Sequence, residues 1–250
     1  MSDNLFVLLL GFVGAVAGAI ASVAGFGIGS ILTPVLSLHV GTKVAVAAVS
    51  IPHLIGTAMR CWHLKKNIDR KVLLSFGITS AVGGLTGATI YSCIKSPPLT
   101  LVFSAILLFA GTLGVTGLGE KLRLRGPAAW IAGALSGLLG GLVGNQGGIR
   151  SAAMFGFDLN KHAFVATATA IGLFVDAARM PVYFSSQLNQ IAQIWTLVAA
   201  ASVGVAVGTF AGMGLLAKID ERKFKRVVSA FILLLGIWML AGPNGLNLLR

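Results

Sequence analysis

Acidic side chains are the scarcest feature of this sequence. Seven Asp and Glu occur in 250 residues, and charged residues of both signs make up only 10%. A soluble domain carries roughly a quarter of its residues as charged groups to cover its surface. With 56% hydrophobic residues and a mean hydropathy of +0.91, this chain cannot cover itself that way in water. Cysteine is nearly absent too. Cys61 and Cys93 fall at the ends of apolar runs with no metal-ligand spacing, so no disulfide framework is implied. The start, Met1-Ser-Asp-Asn, lacks the basic region of a signal peptide, so the first apolar run is expected to be retained. No Ser/His/Asp, Cys/His or metal-ligand constellation occurs either. His39, His63 and His162 stand near loops without His, Cys or carboxylate partners at ligand spacing. The expectation is a protein that is not an enzyme and carries neither metal nor cofactor.

What is abundant is glycine, with 33 residues, and positive charge, with a net +12. Glycine is more frequent in membrane helices than in soluble ones. In a soluble protein the charge would suggest nucleic acid, but its distribution argues against that partner. Thirteen of the 19 Lys and Arg fall in three short stretches, Arg60 to Lys71, Lys121 to Arg125 and Lys218 to Arg226. Basic loops resist translocation and stay on the cytoplasmic side, so the charge reports orientation.

About 20 apolar residues are needed for a helix to span the hydrocarbon. The candidates are Leu5 to Val23, Val44 to Met59, Val72 to Ile94, Leu99 to Leu118, Ala128 to Val143, Ala163 to Val182, Ile191 to Ala217 and Val227 to Ala241. The fold class is therefore an all-α polytopic membrane protein. Two more apolar pieces, Ile28 to Val40 and Ile149 to Leu159, are too short to span comfortably. They stand as either re-entrant or thin crossings. Each follows a glycine-rich interruption, Gly25-Phe-Gly-Ile-Gly29 or Gly144-Asn-Gln-Gly-Gly148. Backbone without helical hydrogen bonds cannot face lipid; it must lie in protein or line a watery cavity. These two breaks are the first place to look for a permeation site.

The sequence also repeats itself. Gly14 to Arg60 aligns without a gap on Gly133 to Arg179, a shift of 119 positions. Gly14/Gly133, Gly18/Gly137, Gly25/Gly144, Gly29/Gly148, Ala47/Ala166, Ala58/Ala177 and Arg60/Arg179 all match, and Gly83/Gly204 and Gly87/Gly208 match at a shift of 121. Arg60 to Lys71 reads as cytoplasmic. No Lys or Arg lies between Pro181 and Gln193, so the loop after Val182 reads as external. The matched segments then run in opposite senses. The expected organisation is two inverted repeats with glycine-interrupted, partly re-entrant helices: residues 1–119, a cytoplasmic linker at 120–126, and residues 127–250. Inverted repeats suit alternating access, with a site near the midplane where they meet.

Few polar groups fall at membrane depth. Arg150 follows the second break at the start of a short apolar piece. An arginine there costs roughly 2.5–3.5 kcal/mol on insertion scales. Beside a helix N-terminus it makes an anion site, a guanidinium next to backbone N–H donors. Gly25, Gly27, Gly29, Ser30, Asn145, Gln146, Gly147 and Gly148 are the expected substrate-binding companions. A snorkelling or structural Arg150 is the alternative. Asp176 and Arg179, three apart, share a helix face as a local ion pair or as part of a gate with Arg60. His53, after the expected kink at Pro52, is a packing histidine or a proton carrier for coupling. The runs Gly11, Gly14, Gly18 and Gly133, Gly137, Gly141 are explained by tight helix packing.

The break closed by a proline, Gly25-Phe-Gly-Ile-Gly-Ser-Ile-Leu-Thr-Pro34, resembles the signature of the TauE/SafE sulfite exporter family. So do Arg60-Cys-Trp-His-Leu-Lys-Lys-Asn-Ile-Asp69, the later Gly83-Gly-Leu-Thr-Gly87, and the basic stretch Lys218 to Arg226 before a Leu-rich terminal span. The second copy departs from the pattern, with Arg150 inside the motif and Ala153 where the first copy has Pro34. The resemblance implies a bacterial plasma-membrane exporter of sulfite, thiosulfate or an organosulfonate. Its partners would be the small anion and the lipid bilayer. The other readings are a carrier or channel for another small solute coupled through Asp176, and a non-transporting membrane subunit.

Overall fold

The computed structural model describes residues 3–118, 126–144, 147, 150, 154, 157, 159–215 and 221–241. Among these there are eight long helices and no strand. They are α1 (Asp3–Ala24), α2 (Ile28–Leu64), α3 (Ile78–Cys93), α4 (Ser96–Thr116), α5 (Pro127–Val143), α6 (Lys161–Gln193), α7 (Trp195–Leu215) and α8 (Glu221–Ala241). Arg70–Val72 and a π-helical stretch, Leu73–Gly77, lead into α3. Six helical stretches have the length and apolarity to cross a membrane, and Pro127–Val143 and Arg226–Ala241 are shorter apolar helices. Helices are the expected answer for such runs, because they satisfy every backbone group within the segment. Large apolar side chains such as Leu8, Phe12, Val203 and Phe210 cover the outside of the bundle, as lipid contact demands. The fold is that of a polytopic membrane protein.

Both breaks end a helix in the same way. Gly25 (φ +80°) and Gly144 (φ +74°) take the left-handed conformation that favours glycine. The N–H of Gly25 donates to Ala21 O and that of Gly144 to Gly140 O, each at 2.9 Å, at positions related by the shift of 119. The correspondence continues downstream. Gly41 (φ +76°, ψ +159°) interrupts α2, which separates the apolar piece 28–40 from the following helix. Its repeat mate, Asn160, caps α6 by accepting a hydrogen bond from Ala163 N at 2.9 Å.

Three expectations need correction. The interruption in α2 falls at Gly41, while Pro52 sits within helical backbone. The stretch after Val182 is helix, not loop, because α6 runs unbroken to Gln193 and buries Tyr183 and Gln187. The connection to α7 is then a tight turn at Ile194. The third concerns the later glycines. Gly83 and Gly87 of α3 pack on Ala134 and Leu138 of α5, and Gly208 and Gly212 of α7 pack on Ala15 and Ala19 of α1. Since 134 and 138 are repeat mates of 15 and 19, Gly83 corresponds to Gly208, a shift of 125, one turn beyond the sequence match to Gly204. Glycines spaced by four match equally well in either register, and the longer α6 supplies the extra residues.

The largest helix–helix interfaces are α1 with α7 and α3 with α5. Each partner comes from the other half of the chain. Gly14 and Gly18 sit against Ala201 and Val205, while Gly133 and Gly137 sit against Phe76 and Ser80. Helices α4 and α8 pack on one another reciprocally, Gly111 on Leu233 and Gly236 on Leu107 and Leu108. Glycine lets the backbones come this close, and dispersion replaces the hydrophobic drive missing between helices in lipid. Exchanging α1 with α5, α2 with α6, α3 with α7 and α4 with α8 maps these interfaces onto themselves. Helices α2 and α6, which carry the membrane-depth charges, contact each other. The basic stretch 121–125 and residues 216–220 lie outside the described residues.

Candidate functional site

The two glycine breaks meet. An added Cβ on Gly29 would stand 2.5 Å from the carbonyl oxygen of Gly144, so the start of α2 lies directly on the end of α5. Phe26 fills the space where Gly147 would carry a side chain. Gly27 (φ +134°) opens α2, and Ser30 is buried one turn inside it. Gly29 with Gly144 and Phe26 with Gly147 thus bring the two breaks together, and Gly25, Gly27 and Ser30 are buried next to them in the chain. Asn145, Gln146 and Gly148 lie outside the described residues, as does most of the 149–159 piece. Arg150 is buried, 3% exposed, and its Nη1 faces Gly172 of α6 at the distance where a β-carbon would crowd it.

Beside this contact lies a charged cluster between α2 and α6. His53, Thr57 and Arg60 line one face of α2 at i, i+4 and i+7. Their repeat mates at the shift of 119 are Gly172, Asp176 and Arg179 of α6, so one face is used twice with different chemistry. Asp176 is fully buried, and its Oδ2 lies 2.7 Å from His53 Nδ1. Its Oδ1 lies 2.7 Å from Arg179 Nη2. That second contact is off the hydrogen-bond axis and counts as an ion pair rather than a hydrogen bond. Thr57 Oγ1 accepts from Arg60 Nη2 at 3.2 Å and approaches His53 Nδ1 at 3.5 Å.

The cluster is tied to the second break. Arg179 Nη1 donates to Gly140 O at 2.5 Å, and Tyr183 Oη donates to Gly141 O at 2.5 Å. Gly140 O already accepts from Gly144 N–H and takes Arg179 on its second lone pair, and a cation at a helix C-terminus also suits the helix dipole. Arg179 therefore links Asp176 to the last turn of α5, beside the break. Arg60 and Arg179, repeat mates expected at opposite faces, both bury their guanidinium groups in this interior cluster.

Among the described residues the buried charges are mostly positive: Arg60, Arg150 and Arg179 are buried, and Asp176 is the one buried carboxylate. Asp176 is already engaged by His53 and Arg179. Nε and Nη1 of Arg60, and Nε and Nη1 of Arg150, are buried without a hydrogen-bond partner. Buried charged donors left this way are costly, and a bound anion is the economical remedy.

Against known families, the Sulfite exporter TauE/SafE profile matches residues 10–239, nearly the whole chain. This chain belongs to the TauE/SafE sulfite exporter family. No curated protein and no solved structure matches it. TauE/SafE proteins are membrane transporters rather than enzymes, which agrees with the multi-pass fold and with a small anion as the ligand class. Among the described residues there is no group of three or more His, Cys, Asp or Glu placed to hold a metal ion.

Sequence reasoning singles out Arg150, His53, Arg60, Asp176 and Arg179 but leaves out several groups that bind this TauE/SafE site together. Tyr183 holds the end of α5 and packs on Tyr91 with ring centroids 4.6 Å apart and the ring planes tilted by 58°. The signal was rarity: these are the only two tyrosines in the chain. Thr57 bridges His53 and Arg60, and its spacing from both was readable once the helix face was drawn. Gly172 makes room for Arg150, and nothing in its local sequence marks that role.

Proposed function

We propose that this chain exports small sulfur-containing anions, namely sulfite, thiosulfate or an organosulfonate, across a bacterial plasma membrane. The observation that carries the reading is Arg150, six residues after Gly144 of the second break, buried against Gly172 of α6 with two unpartnered guanidinium nitrogens. Backbone N–H groups around Gly27, Gly29, Gly147 and Gly148 would coordinate the oxyanion with Ser30 and Arg150, and Asn145 and Gln146 would add side-chain donors. Residues 1–119 and 127–250, joined by the linker 120–126, would act as two inverted repeats that expose the site alternately to either side. The reciprocal packing of the matched helices supports that arrangement. His53, Arg60, Asp176 and Arg179 would form the gating and coupling element, because they join α2 of one repeat to α6 of the other. A cation pathway through Asp176 is disfavoured, since His53 and Arg179 already occupy that carboxylate.

The test is anion flux. Purified protein in liposomes should move thiosulfate, sulfite or sulfoacetate down a gradient, well above protein-free vesicles. Folded protein that moves none of these oxyanions would end the proposal.

A further inference from the structure

We propose that Thr42 and Lys43 of α2, latched onto the corner between α3 and α4, close the transport path at the end of the bundle away from Arg60 to Lys71. This rests on the alternating-access transport proposed above and adds to it the residues that must part for one of the two openings.

The helices divide along a seam. Helix α2 lies against α1 and α7, while α6 lies against α3 and α5, and the two groups meet chiefly where α2 contacts α6. Midway along that seam stand the contact of Gly29 with Gly144 and the pair of His53 with Asp176. About 30 Å of helix separates Lys43 from Leu64 at 1.5 Å rise per residue, so Lys43 marks the end opposite the basic stretch.

At that end hydrogen bonds cross from α2 to the corner where α3 stops and α4 begins. Tyr91 Oη donates to Lys43 O at 2.8 Å, and Lys43 Nζ donates to Ser92 O at 2.9 Å. Lys43 N–H donates to Ser96 Oγ at 3.1 Å, and the hydroxyls of Thr42 and Thr100 meet at 2.6 Å. Thr42, Tyr91 and Thr100 are buried, and Lys43 is half-buried. Elsewhere along its length α3 packs on α5 and α6.

The local structure suits this corner for opening. Gly41 stands directly before it with φ +76° and ψ +159°, an interruption about which one part of α2 can turn against the other. The corner also connects to the second break, because the Tyr91 ring packs on Tyr183 at 4.6 Å and Tyr183 Oη donates to Gly141 O. A change at the breaks reaches the latch through those two side chains. Each latch bond can be exchanged for one to water, so parting the corner has a small net cost. The contacts of α1 with α7 and of α3 with α5, by contrast, set glycine against backbone and leave nothing for water to replace. The hydroxyl set is not repeated in the sequence. At the shift of 119 Thr42 and Lys43 correspond to Lys161 and His162, and at the shift of 125 Ser96 and Thr100 correspond to Glu221 and Lys225. One end can therefore be locked by substitutions that do not touch the other.

A disulfide across the latch makes the test. Thr42→Cys and Thr100→Cys would be combined with Cys61→Ser and Cys93→Ser, which remove the two native thiols. Thiosulfate uptake would be measured in liposomes holding the full chain, before oxidation, after oxidation and after reduction. Oxidation should stop uptake in proportion to the fraction of chains cross-linked, and reduction should restore it. A fully cross-linked protein that moves thiosulfate as fast as its reduced form would overturn the inference. If the double-cysteine protein fails to fold, Lys43→Gln decides the matter. Ser37, buried, lies between the latch and the first break in the chain. With the native thiols removed, Ser37→Cys should react with a maleimide about tenfold faster once Lys43→Gln has taken away the charged bond to Ser92. Equal labelling with and without Lys43→Gln would likewise overturn the inference. No thiosulfate uptake by the folded parent would instead remove the transport reading, and this inference with it.

Discussion

Asp176→Ala is expected to destabilise the protein by about 3–5 kcal/mol, the usual cost of removing one partner of a buried ion pair. The carboxylate is fully buried and serves two groups, His53 at 2.7 Å and Arg179 at 2.7 Å. Without it, Arg179 would join Arg60 and Arg150 as a third buried cation, and His53 would lose its hydrogen bond. The loss also reaches the second break, because Arg179 carries its other bond to Gly140 O at the end of α5. Thermal unfolding in detergent, followed by loss of monodisperse protein, would measure the effect. A double variant, Asp176→Asn with Arg179→Gln, should recover part of it, since removing both partners of a buried pair costs less than removing one. An Asp176→Ala protein that melts with the parent would show that the cluster does not hold α2, α6 and the end of α5 together.

Gly29→Val should abolish transport, by roughly 100-fold or more, the scale on which a displacement of about 1 Å matters at a preorganised site. A Cβ at Gly29 would stand 2.5 Å from the Gly144 carbonyl oxygen, and that neighbour is backbone rather than a side chain able to swing away. Gly144 is itself held in a left-handed conformation and bonded to Gly140 O, so it has little room to yield. The breaks would have to separate, and the donors around them would separate too. Overpacking of this kind also costs about 1–3 kcal/mol of stability, so flux must be normalised to folded protein. Gly214→Ala is the matched control, because a Cβ there meets nothing within 4 Å. Parental flux in Gly29→Val would mean that the contact between the breaks is incidental to transport.

Much of this architecture is legible in the chain alone, and the reasons are local. Apolar runs of membrane length, the glycine interruptions and the gapless match from Gly14 to Arg60 are properties of neighbouring residues or of simple alignment. The Asp176–Arg179 pair is likewise local, since residues three apart on a helix face one another. Groups related only through the packed bundle stayed hidden. His53 reaches Asp176 across 123 positions, and no spacing rule connects them. Proline removes a backbone donor, so a kink in α2 is expected beside Pro52, yet Gly41 carries it. Its left-handed backbone is cheap for glycine, and its repeat mate Asn160 begins a helix at the same point. The external loop expected after Val182 fails for another reason. Ser185, Ser186, Asn189 and Gln190 look like loop residues, but buried Tyr183 and Gln187 keep α6 helical.

Arg150 is the charged group on which the proposed anion site depends. The most direct measurement is thiosulfate uptake into liposomes by the parent and by Arg150→Gln, at equal amounts of folded protein. Removing one partner of a buried charge pair costs about 2–5 kcal/mol, so the variant should lose about a hundredfold or more of the parental rate. Parental uptake by Arg150→Gln would contradict an anion site at the meeting of the two breaks and return Arg150 to a structural role.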